Sequence, residues 1–411
     1  MNIPKEQLRE GRMKALKKVK KEKSRRIAFV GCSTVIVFCL CFLLTVQQSH
    51  TFASFAAKIP GLSALVELIQ DNEGIIDALE NDYFEELGLS QSKDGKTVTL
   101  HGAIIDEYNV FLNYDFDFTH KVANHNAYDI EIFQAGKLIM EGSSSRGTMD
   151  DVDGPVSHSK HKFEMQLPKP IDRELLDFNV VITFRDGTIL DFPFTLKNPI
   201  AKTKVTKANR VVSVNGQRFT ITEIRRTPLR VAIDIEENPN NTMKILSYEG
   251  MTIQLNTGNQ RKPIMNGLTA FHLEDDKTTT YLFQSNYFYE ADEMTITFNK
   301  ILAVPKDENF IEVDFATNEV LYVPSYIDWD ISVHNNTLTI NNQTSNGMAR
   351  QYVTYAIKED GSRLDSGNFQ LYTNGQFKTT FSDYKGKAKL IIHYFDNPIG
   401  EKIQIPISLQ K

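Results

Sequence analysis

His158 and His161 are the closest pair among the chain's nine histidines, and they stand beside Asp150, Asp151 and Asp153 in the run SSSRGTMDDVDGPVSHSKHKF. Imidazole and carboxylate together suit zinc or a harder divalent ion. Nothing in the run fixes ligand geometry, and the spacing of a calcium loop is incomplete. A solvated loop between strands is therefore the expectation, and no metal is assigned. Ser157 and Lys160 match in letters a Ser-x-x-Lys nucleophile motif, which needs the start of a helix and two companion motifs. The chain supplies neither. Arg225, Arg226 and Arg230 form a basic spot, expected as a solvated strand face, with an anionic envelope polymer as the alternative occupant. No catalytic residue, cofactor or metal site is assigned, and the chain is expected not to be an enzyme.

The charge pattern says more. Residues 1–26 hold eleven Lys or Arg against three Glu, a local charge of +8, while the other 385 residues carry −14 of the overall −6. Directly after this basic segment, IAFVGCSTVIVFCLCFLLTV (residues 27–46) runs twenty residues without a charge. That length crosses a hydrocarbon core of about 30 Å as a helix. The basic flank places the N-terminus in the cytoplasm and the rest outside. A cleaved signal peptide is the competing reading, because Ala53 and Ala56 both end small-x-small triplets. Signal peptides usually carry shorter apolar regions, so an anchor is favoured. The three cysteines (Cys32, Cys39, Cys41) all lie within the apolar run, so the exterior must rely on its cores and not on disulfides. Matches to Asn-x-Thr at Asn240, Asn335 and Asn342 are taken as chance.

Within the basic segment, Leu8, Leu16 and Val19 fall on a loose helical stripe. They are candidate contacts for a cytoplasmic partner; anionic lipid, or a pure topology role, are the alternatives. No Cys or His precedes Cys32, which excludes a zinc-type regulatory domain there.

Beyond the span, apolar residues at helical spacing predict two short helices, one through Leu62, Leu65, Val66, Leu68 and Ile69, the other from Ile75 to Leu87 with Gly88 ending it. From Lys96 the pattern changes to alternating Val, Ile, Thr, Phe and Tyr runs separated by Asp-Gly and Asn-Gly turns. VTLHGAIIDEYNVFLNYDFDF reads as a strand pair, YDIEIFQAGKLIM as a hairpin turning at Ala135-Gly136, and FNVVITFRDGTILDFPFTL as a hairpin with Asp186-Gly187 as a two-residue primed turn. Similar strand pairs open at Val98, Phe219 and Leu338, offsets of 121 and 119 residues, which suggests three units in a row.

The expected fold is mostly β: tandem immunoglobulin-like β-sandwiches preceded by one transmembrane helix and a short juxtamembrane helix pair. The expected boundaries are a basic cytoplasmic segment at 1–26, the span at 27–46, the helix pair with a first sandwich at 51–200, a second sandwich at 210–323 and a smaller third at 325–411.

The order basic segment, apolar span, "IPGLSALVELI", a second helix ending in "EELG", then "SKDGKTVTLHGAIIDE" resembles a family of membrane-anchored ectodomains of unknown function common in bacilli and related Gram-positive bacteria. RFTITEIRRTPLRVAIDIE is similar to the opening of the immunoglobulin-like domain that often follows in that family. The resemblance implies a cell-surface protein, and some members are regarded as anti-sigma factors. Two functional expectations result. In the first, the exterior senses a signal and the tail meets a sigma factor or other cytoplasmic regulator. In the second, the exterior is a surface module that binds wall polymer or an envelope protein. Neither involves nucleic acid.

Overall fold

In the computed structural model of the chain, residues 73–123, 128–139, 143–148, 155–257, 260–264, 269–272, 278–342, 350–372, 375–400 and 402–409 are described. The predicted span, the first predicted helix, Leu8, Leu16, Val19, Ala53 and Ala56 all lie outside them. Among the described residues, no helix is long and apolar enough to cross a membrane.

A single α-helix, α1 (Glu73–Glu80), survives of the predicted second helix. It stops seven residues short of Leu87 because Asp82 turns left-handed (φ 60°) and a Schellman pair closes the end: Tyr83 N donates to Ala78 O (2.9 Å) and Asp82 N to Leu79 O (3.2 Å). The residues beyond enter a strand instead. Gly88, expected as a helix stop, takes its positive φ of 60° at a β-bulge between Glu86 and Leu89.

The first unit contains β1 (Glu85–Lys93), β2 (Lys96–Ile105), β3 (Asn109–Val122), β4 (Tyr128–Gln134) and β5 (Lys137–Leu138). It continues with β6 (Ser143–Thr148), β7 (Val156–Gln166), β8 (Asp177–Phe184) and β9 (Ile189–Thr195). Two sheets, ordered β1-β2-β3-β7-β6 and β5-β4-β8-β9, share a core that includes Leu112, Tyr114, Phe116, Phe163, Val180 and Phe192. The expected hairpin turn at Ala135-Gly136 has positive φ at both residues (47° and 78°), the primed geometry that the sequence predicts for Asp186-Gly187 instead. The turn at Asp186-Gly187 does not: only Gly187 is left-handed, and Phe184 N bonded to Thr188 O (2.9 Å) closes a three-residue loop. Asp186 is held instead by its side chain, which accepts from Lys96 Nζ (2.6 Å) and Thr188 N (3.1 Å).

The second unit begins with β10 (Lys204–Val214), β11 (Gln217–Arg226), β12 (Arg230–Glu237), β13 (Met243–Glu249) and β14 (Thr252–Thr257). Then come β15 (Gln260–Ile264), β16 (Thr269–His272), β17 (Thr278–Gln284), β18 (Glu293–Phe298) and β19 (Lys300–Pro305). Its larger sheet, β10-β11-β12-β17-β16, repeats the arrangement of the first: a three-strand meander, then a later strand, then that strand's hairpin partner at the edge. The strand pairs at Val98 and Phe219 thus occupy the same place in two sheets.

The third unit does not follow. Its strands are β20 (Phe310–Asp314), β21 (Glu319–Tyr322), β22 (Asp330–His334), β23 (Thr337–Asn341), β24 (Val353–Lys358), β25 (Arg363–Leu371), β26 (Gln376–Phe381) and β27 (Lys387–Ile392). They form one eight-stranded order, β21-β20-β27-β24-β25-β26-β23-β22, around Trp329, Tyr352, Phe377 and Leu390. The expected pair starting at Leu338 is split, since β23 lies between β22 and β26 while β24 lies between β27 and β25.

The boundaries at 323 and 325–411 shift as well. β20 and β21 belong to the third unit, and the segments after it, β28 (Pro398–Gly400) and β29 (Ile403–Ser408), return to the second. β28 pairs with β19 and β29 with β18, and Ile399, Ile405 and Ile407 are buried in the second unit's core. All these strands alternate in the same way, so periodicity could not say which sheet each joins. The third unit is an insertion whose entry and exit are clasped together: Ala303 N donates to Asn397 O (3.1 Å) and Asn397 Nδ2 to Ala303 O (2.8 Å).

Because entry and exit touch, replacing residues 307–395 by a short Gly-Ser linker should leave the first two units folded. Deleting residues 398–411, a much smaller loss, should unfold the second unit. Limited proteolysis and thermal melts of the two variants check this; equal protection of the second unit in both would contradict the insertion.

Candidate functional site

Most residues singled out for chemistry are dispersed by the fold. His158 and His161 alternate to opposite faces of β7 and cannot share an ion. His161 is buried against Tyr114 and Tyr128, with Ser159 Oγ 2.7 Å from its Nε2, whereas His158 Nδ1 lies 2.8 Å from Asp117. Asp150, Asp151 and Asp153 lie outside the described residues. Among the described residues, no group of three His, Cys, Asp or Glu could hold a metal ion. Ser157 and Lys160, three apart on a strand, also point to opposite faces, so no nucleophile elbow or helix start forms.

The three arginines are not the expected solvated face. Arg225 makes a forked pair with Asp234, one arm at 2.9 Å (Nη2 to Oδ1), and Thr280 Oγ1 supports the same carboxylate at 2.7 Å. Burial works against the Arg225 charge, but Asp234 and Glu223 outweigh it and raise its pKa. Arg226 is buried, and desolvation lowers its pKa. Arg230 reaches across to Glu164 of the first unit. The spot is one side of a junction between the two β units.

That junction is built from two turns. Asp106, in the turn between β2 and β3, is completely buried. Its Oδ1 accepts from Tyr108 N and Asn109 Nδ2 (both 2.8 Å), and its Oδ2 from Leu229 N of the β11–β12 turn (3.1 Å). Asn109 Nδ2 also donates to Thr227 Oγ1 (3.1 Å). Glu107, the next residue, accepts from Thr203 N (2.5 Å), where the chain enters the second unit. The Arg225 guanidinium lies 5.3 Å from the centre of the Tyr108 ring. Desolvation pushes the Asp106 carboxyl above the usual carboxylate range, although the hydrogen bonds pull the other way.

Helix α1 fills the angle between the units. Ile75, Ala78 and Leu79 pack with Phe84, Ile104 and Phe111 of the first unit and Leu229 of the second. This cover explains why the first residues of β3 are buried on both faces instead of alternating. Tyr289 donates its hydroxyl to Asp77 (2.9 Å), and a Cβ on Gly74 would stand 2.6 Å from Ser285 N. The helix is therefore pressed onto the second unit at a point where only glycine fits.

Of these residues, sequence reasoning found Arg225, Arg226 and Arg230 and missed Asp106, Asn109, Glu164 and Gly74. An Asp three residues before an Asn in a turn is an ordinary turn signal, and its burial depends on a second unit docking.

Two stretches of the chain match known families. Residues 21–117 match a domain of unknown function (DUF4179), and residues 203–331 match a family of unknown function (DUF5643). The first stretch spans the basic segment's end to β3; the second begins at the entry to the second unit. No curated protein matches the chain. Among solved structures, a conserved domain protein from Bacillus anthracis is similar at 10% identity and a TM-score of 0.40, covering 80% of this chain and 92% of that one. An uncharacterized protein from Listeria monocytogenes EGD-e is similar at 8% identity and a TM-score of 0.16, covering 70% of this chain but only 29% of its own length.

Asp106 gives a pH signature. Its raised pKa means that the stability it contributes is fully present below the ordinary carboxylate range and is lost as pH rises through the raised value. In Asp106→Asn the amide NH₂ must meet the Leu229 N–H or displace the donors at the other oxygen, costing about 1–3 kcal/mol. The stability gap between wild type and variant, read from denaturant melts, should be widest at acid pH and narrow toward neutrality. A gap that is flat or widens upward would contradict the assignment.

Proposed function

We propose that the chain is a membrane-anchored, non-catalytic regulatory or sensory protein of a Gram-positive envelope, anti-sigma-factor-like in plan, with its immunoglobulin-like β units outside. The observation that carries this reading is the seat of α1. The helix begins 27 residues after the apolar run ends at Val46 and is held between two β units at once, by Leu229 and Tyr289 on one side and Ile104 and Phe111 on the other. A change in the angle between the units must move the helix or break its packing, and in sequence the helix is the described element nearest the candidate span. The basic segment with Leu8, Leu16 and Val19 supplies a short cytoplasmic element for a partner to read. The matched families, both of unknown function, are compatible with this role and do not specify it.

A second reading, a surface-binding module, draws on the third unit, where Phe369, Leu371 and Tyr372 are exposed (46%, 49% and 39%) along one strand and its end. Exposed apolar clusters of this kind mark contact surfaces.

Affinity capture of the full-length, detergent-solubilised protein from its native host, beside a version lacking residues 5–23, separates the two. The regulatory reading expects a cytoplasmic regulator, such as a sigma factor, that disappears with the tail. Identical, purely extracytoplasmic partner lists would overturn it in favour of the surface module. Where a signalling output is found, Gly74→Leu should alter it, because the side chain must lift α1 from Ser285; an unchanged output would remove the helix from the mechanism.

A further inference from the structure

A cleft of about 170 Å³ opens at the junction, lined from the first unit by Phe111, Ser145 and Glu164 and from the second by Leu229, Arg230 and Leu282. At about 30 Å³ per water, this volume suits a ligand of roughly six non-hydrogen atoms. Its chemistry is divided between an apolar part (Phe111, Leu229, Leu282) and a charged part. Glu164 is already answered twice: Lys162 Nζ lies 3.0 Å from Oε1, and Arg230 Nη2 donates to Oε2. Arg230 is not used up. Its Nη1 makes one long bond to Leu229 O (3.3 Å), its Nε has no hydrogen-bond partner among the described residues, and its side chain is 23% exposed. A guanidinium with donors to spare, beside an apolar wall and a serine hydroxyl, is suited to a carboxylate carrying a short apolar group.

We propose that this cleft binds a small carboxylate, its oxygens taken by Arg230 and its carbon chain laid against Phe111, Leu229 and Leu282. The chemistry is shared by a free short-chain acid and by the C-terminus of a peptide ending in a small residue. Because the lining comes from both units, occupancy bears directly on how they are held. The proposal concerns binding alone and stands apart from the regulatory role.

The test is calorimetric titration of the full-length protein in detergent with three probes: sodium propionate, N-acetyl-alanyl-alanine and inorganic phosphate. Saturable binding of propionate supports the site with a free acid as source; binding of the peptide alone supports it with a C-terminus as source. Arg230→Gln should weaken binding by about tenfold or more, the effect of losing a charge-assisted hydrogen bond. Ser145→Trp, a change at an exposed edge-strand position directly opposite Glu164, should block the cleft while leaving the charges of Arg230 and Glu164 in place, so it decides the matter if Arg230→Gln folds poorly. No saturable binding of either carboxylate, binding untouched by Ser145→Trp, or preference for phosphate would overturn the proposal.

Discussion

A carboxylate sealed from solvent needs a donor for each lone pair that water would otherwise have served, and Asp106 finds two in its own turn and one in the turn of another unit. Separated units would exchange the Leu229 donor for water, whereas units docked with their turns displaced would leave the buried oxygen with neither. The two β units are thereby specified to one register, and the remaining contacts at the junction follow from it. Leu229 is presented to α1 by the same backbone that donates to Asp106. Arg230, one residue further on, is brought to Glu164, and Tyr108, two residues from Asp106, is brought beneath Arg225.

Apolar packing supplies the strength at this junction, while polar groups supply its geometry. The cluster around Ile75, Leu79, Phe84, Ile104, Phe111 and Leu229 is contiguous across α1 and both β units, so none of them can shift alone without opening a void. Gly74 adds a steric limit, since the backbone of α1 approaches that of Ser285 with no room for a side chain. Two β units joined by a small, partly charged contact with a helix in the angle are held at one mutual angle, and the ion pair between Arg230 and Glu164 is a partly exposed part of that contact.

The legibility of this chain was uneven for physical reasons. Strands with strict alternation, such as β8 and β9, and turns needing two left-handed residues, such as Ala135-Gly136, were readable because the signal is local. The extent of α1 was not: Ile75 to Leu87 keeps a helical apolar rhythm, but the chain reverses at Asp82 and Leu87 joins the first unit's core from a strand. The return of β28 and β29 to the second unit was invisible, because a strand's own residues do not name their neighbour. The junction lay between these cases. Its arginines stood out by charge, while Asp106 looks like any turn aspartate until the turn it meets is known.

The route of the chain through the second unit also has a temporal side. Residues 403–408 emerge only after the whole third unit, so on a chain delivered from the N-terminus the strand β18 waits with one edge unpaired while some hundred residues fold beyond it. An open, apolar edge of that kind is prone to pair with whatever strand is at hand. The clasp between Ala303 and Asn397 brings the late strands back to the waiting edge as soon as the insertion is compact, so the third unit acts on the second as an internal timer of its completion.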